Sequence, residues 1–292
     1  MVSMPFFFSM CKFACNVKRE HRALEKIVRE YAIDYVFSDN RLGLYTKLAT
    51  TIYMTHQFNF DNGFLNRFSA SIMKKLHRHY INKYDFCCVP DGTGEKSLSG
   101  ILSETDLKVM HLGPLSRFEE QLCSDSIISL TERSRSGDCS RESYDLLILS
   151  GIEPQRSILE KIFIDKYAKL PSPKLIIVRG LVGEDCALEV PDNILYENCP
   201  SDCRLAELII SANRIFCRSG YSTLCDLAAL KRRAVLIPTP KQPEQEYLAQ
   251  RFKSEFGFQS FSQSDLPFVD FSQVTYESDW NYDFYCNLKG LM

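Results

Sequence analysis

Ser219, Gly220, Ser222 and Thr223 fall within the run Phe216-Cys-Arg-Ser-Gly-Tyr-Ser-Thr-Leu-Cys-Asp-Leu, which reads as the end of a strand, a small-residue turn and the start of a helix. Free backbone N–H groups at a helix N-terminus, together with the helix dipole, attract phosphate. Asp226 follows one helical turn later, within reach of a ribose hydroxyl. Its plainer role is that of a first-turn acid favoured by the dipole. A strand over 234–237 then leads into Glu244-Gln245 at the head of another helix. A diphosphate beside a ribose describes nucleotide or nucleotide-sugar chemistry.

Two more strand ends carry residues of the same kind. Ser150-Gly151 follows an apolar run and precedes a helix; glycine there lets the backbone approach a ligand, although such turns also use glycine for geometry alone. Arg179-Gly180 ends another run and offers a charged fork suited to phosphate. Arg218 either does the same or pairs with an acid. Tyr221 reads equally as a core residue, and Gln245 as an ordinary helix residue.

In the first half, Ser38-Asp39-Asn40-Arg41 and Thr55-His56-Gln57 end successive strands. Asp39 and His56 are the candidates for an acid or base; the plainer reading of His56 is a hydrogen-bonded residue at a strand end. His77 and His79 lie two apart on a helix, so they face different sides and make no metal pair. Lys74, Lys75, Arg78 and Lys83 give the neighbourhood of that helix a basic character, fitting a solvated face or an anionic lipid head group. Cys199 and Cys203 have no second Cys/His pair at zinc spacing, and no Asp-x-Asp pair is present, so no metal is expected.

Elements that alternate between strand and helix must position these residues. Strands are expected at 34–37, 51–54, 85–89, 109–112, 144–149, 175–178, 193–196, 214–216 and 234–237. Helices are expected at 16–31, 63–82, from the 150–157 loop to 166, and at 204–211, 222–231 and 244–256. This order gives α/β architecture with parallel sheets covered on both faces, and ligands in such sheets bind at the carboxyl ends of strands. The polar, aperiodic stretch 119–143 reads as a linker between a domain over 1–118 and a second over 144–262. The aromatic tail 263–292 is expected to pack back on the body.

Net charge is -2 over 292 residues, which supplies no electrostatic reason for nucleic acid as a partner. No run approaches the roughly 20 apolar residues of a membrane span. The apolar start Met1-Val-Ser-Met-Pro-Phe-Phe-Phe lacks a basic region and a cleavage site, and reads as a loop leading into the first turn of a helix, or as a shallow membrane foot. The 12 cysteines are scattered through apparent strands and helices, as in a reduced cytosolic protein.

At Arg218-Ser-Gly-Tyr-Ser-Thr223, Asp226-Leu227, the 234–237 strand with Pro238, and Glu244-Gln245, the chain resembles glycosyltransferases of the two-domain GT-B fold, near the family 28 group. The resemblance implies two Rossmann-like domains. It also implies that Arg218, Ser219, Gly220, Tyr221, Ser222, Thr223, Asp226, Glu244 and Gln245 bind a nucleotide-sugar donor, with uridine diphosphate as the expected carrier and no further cofactor; Ser150, Gly151 and Arg179, at the other strand ends, are expected to join them. The diphosphate then faces the glycine turn, ribose meets Asp226 and the sugar meets Gln245. The chain looks closer still to a group of bacterial glycosyltransferases that share runs such as Leu112-Gly-Pro-Leu-Ser-Arg-Phe118 and Leu149-Ser-Gly-Ile-Glu-Pro-Gln-Arg156. Glu244 departs from the family's His, and Leu248 from its Asn.

Family members open with a strand, a Gly-His loop and a helix, and these βα units are missing from the present sequence, so the N-terminal domain is expected to be incomplete. Three readings follow: a truncated gene model, a partner chain that supplies the segment, or a nucleotide-sugar-binding subunit that no longer catalyses. The resemblance implies hexosyl or N-acetylhexosaminyl transfer to a lipid-linked or glycan acceptor of the cell envelope, in the cytoplasm or peripherally at the inner face of the membrane. A nucleotide-sugar 2-epimerase or hydrolase is the alternative chemistry on the same fold.

Overall fold

The computed structural model describes residues 4–59, 67–119, 143–170, 174–181 and 190–283. The chain forms two compact units, one comprising Met1–Pro114 with Tyr285–Met292 and the other Leu115–Phe284. Residues 115–118, expected in the first domain, fall in the second. Nearly all of the expected linker lies outside the described residues, as does the start of the expected 63–82 helix. Among the described residues no helix is long and apolar enough to cross a membrane.

The first unit contains α1 (Met4–Tyr31), β1 (Tyr35–Asp39), β2 (Thr50–Met54), α2 (Arg67–Ile81), β3 (Phe86–Val89) and β4 (Met110–His111). Its four strands are parallel, in the order β1-β2-β3-β4. The opening segment is helical from Met4 onward and not a loop. Val17, Leu24 and Val28 recur on one face of α1 and are buried, the spacing an amphipathic helix requires. Gly43 lets the following loop press against α1: a Cβ there would sit 2.6 Å from the Val17 carbonyl oxygen and 2.6 Å from Glu20 Cβ.

Both helices pack on one face of this sheet. Leu24 and Val28 meet Val36, and Ile81 meets Tyr53 and Cys87. Register places Phe37, Ile52 and Phe86 on the opposite face. There Tyr35, Phe37 and Phe86 are more than half exposed, so the expectation of two covered faces fails for this sheet within the described residues.

His77 separates from His79 as their spacing requires: His77 is buried and His79 is exposed. Tyr53 Oη donates to Asn40 Oδ1 at 3.0 Å and lies 2.9 Å from His77 Nε2, so the imidazole donates to the phenol oxygen. Burial pulls the His77 pKa down to about 4. The unfolded chain, with an ordinary histidine near 6.5, therefore binds a proton that the folded chain refuses between pH 6.5 and 4. Stability is expected to fall as pH drops through that window, by up to about 3 kcal/mol from this group. Urea midpoints of wild type and His77→Gln at pH 7 and 4.5 check this; equal acid losses in both would refute it.

The second unit contains β5 (Tyr144–Ile148), α3 (Gln155–Tyr167), β6 (Lys174–Val178), β7 (Ile194–Glu197), α4 (Asp202–Ser211), β8 (Arg214–Cys217), α5 (Tyr221–Ala229), β9 (Val235–Leu236), α6 (Pro243–Glu255) and β10 (Gln259–Ser260). All six strands are parallel, in the order β10-β9-β8-β5-β6-β7. Numbered from β5 as the first, that is 3-2-1-4-5-6 read from β7, the doubly wound order whose switch point lies between its first and fourth strands. Here those strands are β5 and β8. Strand runs such as Leu146-Leu147 and Leu175-Ile176-Ile177 are buried, as parallel strands covered on both faces require.

Residues 266–283 pack on this unit. Phe271 and Val274 join the core beside Phe163, Tyr167 and Phe216. Trp280 is buried and meets Phe252 and Phe258 edge-to-face at 5.7 and 5.1 Å. Asp279 bridges to Arg232 in antiparallel fashion.

Candidate functional site

A cavity of about 340 Å³ opens at the carboxyl ends of β5 and β6. Its walls come from Leu149-Ser150-Gly151, Arg156, Val178-Arg179-Gly180, Thr223 with Asp226-Leu227, and Arg117. The volume falls in the range of small-molecule sites. Thr223 and Asp226 are three apart on α5 and so share the face turned to the cavity. Gly151 and Gly180 have φ of +92° and +65°, in the left-handed region that residues with a Cβ avoid. At Gly151 a Cβ would meet Thr239 Oγ1 only at 3.8 Å, so conformation and not crowding demands glycine.

Three arginines and one buried carboxylate give the cavity its electrostatics. Arg156 pairs with Glu153 at 2.8 Å. Arg179 pairs with the buried Glu160 at 2.8 Å, and its guanidinium carbon stands 5.6 Å from the Tyr196 ring centre. Asp226 accepts from Ser116 Oγ at 2.7 Å and from Arg117 Nε at 3.0 Å. Burial pushes the Asp226 carboxyl above the usual carboxylate range, while these two donors act against that shift. An arginine-lined cavity with one fixed acid suits an anionic ligand that also carries hydroxyl groups.

Of the residues expected to bind a donor, the cavity brings together Ser150, Gly151, Arg179, Thr223 and Asp226. Arg218 points elsewhere. It is fully buried and donates to the carbonyls of Ile237 (3.1 Å), Pro238 (3.3 Å) and Gln155 (2.8 Å) and to Gln263 Oε1 (2.6 Å). Burial draws its pKa down to about 10, so it stays protonated near neutrality, solvated by these oxygens. Ser219 Oγ donates to the Gln245 carbonyl at 2.7 Å, and Gln245 Oε1 accepts from the Thr239 amide at 2.9 Å. These three residues clasp the β8 and β9 ends to α6. One acceptor position of the Gln245 side-chain oxygen is therefore used inside the fold.

Tyr221 is buried and Ser222 exposed. Neither lines the cavity, and the same holds for Gly220 and Glu244. In the first unit, Asp39 ends β1 opposite Met54 and is exposed, while His56 lies two residues beyond β2 and is half-buried. Arg117 and Arg156 line the cavity without having been singled out. The signal for both was present in the runs ending Leu-Ser-Arg-Phe118 and Glu-Pro-Gln-Arg156, where each arginine follows a turn-forming proline by two residues or three.

Residues 187–279 match the glycosyltransferase family 28 C-terminal domain. No curated protein matches the chain. Among solved structures, the spinosyn rhamnosyltransferase SpnG is similar over 90% of this chain and 71% of its own, at 12% identity and a TM-score of 0.54. Its complex with thymidine diphosphate gives 87%, 69%, 13% and 0.52 in the same order. The calicheamicin glycosyltransferase CalG4 is similar over 87% of this chain and 67% of its own, at 15% identity and 0.53. The two parallel sheets and the 3-2-1-4-5-6 order of the second give this chain the GT-B glycosyltransferase fold of those structures, and its segment from β7 to Asp279 is family 28-like.

Proposed function

We propose that this chain transfers a sugar from a nucleoside diphosphate sugar, uridine diphosphate being the expected carrier, and that the cavity of the second unit holds the nucleotide. The observation that supports this most is the convergence of Ser150-Gly151, Arg156, Arg179, Thr223 and Asp226 beyond the carboxyl ends of β5 and β6 and along α5. The backbone at Gly151 and the two arginines suit a diphosphate, and Asp226 suits ribose hydroxyls. The similar SpnG structure solved with thymidine diphosphate concerns a ligand of the same class. In the transfer, an acceptor hydroxyl attacks the anomeric carbon and the bond from that carbon to the diphosphate oxygen breaks. The arginines stabilise the charge gathering on the leaving diphosphate. The hydroxyl proton passes to a general base. A lipid-linked or cell-envelope glycan is the proposed acceptor, on the strength of the family resemblance.

Calorimetry with uridine diphosphate, and adenosine diphosphate as control, tests the donor site. Wild type is expected to bind the uridine nucleotide selectively. Asp226→Ala is expected to weaken that binding at least tenfold, about 1.4 kcal/mol, with an unchanged circular dichroism spectrum. A folded wild type that binds no nucleoside diphosphate would refute the proposal, and unchanged affinity in the variant would remove the ribose assignment.

A further inference from the structure

Ser116 and Arg117 belong to the run Leu112-Gly-Pro-Leu-Ser-Arg-Phe118, and the transfer as described gives neither of them a part. Both side chains end on Asp226, one on each carboxylate oxygen. The segment is built to hold them there. Phe118 is fully buried and its amide donates to Ser116 Oγ at 3.1 Å, so the hydroxyl proton of Ser116 is committed to Asp226. Arg117 is braced on its far side, its NH1 lying 3.9 Å from Asp202 Oδ1, and its guanidinium carbon stands 5.9 Å from the Phe118 ring centre.

An ionised carboxylate offers about four acceptor positions, two on each oxygen. Ser116 and Arg117 fill one on each. Two donors on different oxygens fix the plane of the group, and each oxygen keeps acceptor capacity for a ligand in the cavity that Asp226 lines. Acceptors side by side on one rigid carboxylate match adjacent hydroxyls on one ring.

We propose that Ser116 and Arg117 are positioning residues that hold the Asp226 carboxylate in register for the vicinal diol of a ribose, and so make the site choose ribonucleotides over 2′-deoxyribonucleotides. This rests on the nucleotide reading of the cavity. It adds a specificity device that belongs to the Leu-Ser-Arg-Phe turn and not to the helix carrying the acid.

The test is calorimetry of uridine diphosphate and 2′-deoxyuridine diphosphate with wild type, Ser116→Ala, Arg117→Met, Arg117→Lys and Asp226→Ala. Wild type is expected to prefer the ribonucleotide by roughly tenfold to hundredfold, the effect of one hydrogen bond to a charged group. Asp226→Ala abolishes the preference. Ser116→Ala and Arg117→Met shrink it severalfold, because ribonucleotide affinity falls further than deoxynucleotide affinity. Arg117→Lys recovers part of it. A purely structural role would lower both affinities together and leave their ratio alone. Equal binding of the two nucleotides by wild type, or a wild-type ratio in both Ser116→Ala and Arg117→Met, overturns the inference while the nucleotide reading stands. Failure of folded wild type to bind either nucleotide overturns both.

Discussion

Replacing Arg218 by methionine is expected to destabilise the second unit by about 4 kcal/mol or more, because four buried oxygens lose their donor at about 1–3 kcal/mol each. The guanidinium is fully buried and serves four oxygens, two just past the end of β9, one at the start of α3 and one in the 263 loop. Methionine fills much of the space but leaves those carbonyls without donors, each a desolvated polar group with a cost of its own. Lysine should fail as well, because a single ammonium replaces a planar fork that spans separated acceptors. Urea midpoints of wild type, Arg218→Met and Arg218→Lys provide the measurement. Had Arg218 been a phosphate ligand, the methionine variant would keep the wild-type midpoint and lose nucleotide affinity, and that outcome would return the residue to the site.

Asp145→Ala is expected to have an effect of similar size, at the opposite end of the same sheet. Asp145 has no exposed surface. Its Oδ1 accepts from Arg214 Nε at 3.0 Å, and its Oδ2 accepts from Arg214 NH2 at 2.5 Å and from the Tyr167 hydroxyl. Arg214 also donates to the Phe271 carbonyl. One carboxylate thus ties β5, β8, α3 and the C-terminal segment together. Its removal strands a largely buried guanidinium, again about 3–5 kcal/mol. The double variant Asp145→Leu with Arg214→Met should recover most of the loss, since an apolar pair of similar volume often matches a buried ion pair. Thermal or urea midpoints of the two single variants and the double variant decide the matter: additive losses would show that the pairing itself contributes nothing. Nucleotide affinity of the molecules that remain folded should be unaffected, because the cavity lies at the other ends of these strands.

Much of the second unit was legible in its sequence because its signals are local. Leu146-Leu147 and Ile176-Ile177 are uninterrupted apolar runs of the kind a twice-covered strand needs, and each ends in the glycine that the turn geometry demands at Gly151 and Gly180. Asp226 was legible too, three residues beyond Thr223 on one helical face. The opening of α1 was not: Pro5 and a run of phenylalanines carry no amphipathic period, yet the helix runs unbroken from Met4 into the residues whose Val17, Leu24 and Val28 face the sheet. The exposure of Tyr35 and Phe37 was illegible as well, since they alternate with Val36 and Ser38 and nothing in that pattern says which side the helices choose.

By itself the sequence determined the alternation of strands and helices, the left-handed glycines at two strand ends, and the gathering of polar residues at those ends, because backbone sterics and hydrophobic periodicity act over a few residues. Only the tertiary structure decided the use of each polar side chain. Arg179 and Arg218 both follow a buried strand, yet one lines the cavity and the other is enclosed. The difference lies in the carbonyls of Ile237 and Pro238 and the amide oxygen of Gln263, which lie 19, 20 and 45 residues away and solvate the enclosed charge. Likewise Ser116 and Arg117 reach Asp226 across 110 and 109 residues. A buried charge or carboxylate must find its partners wherever the fold delivers them, and those partners, more than the residue's own neighbours in sequence, fix its role.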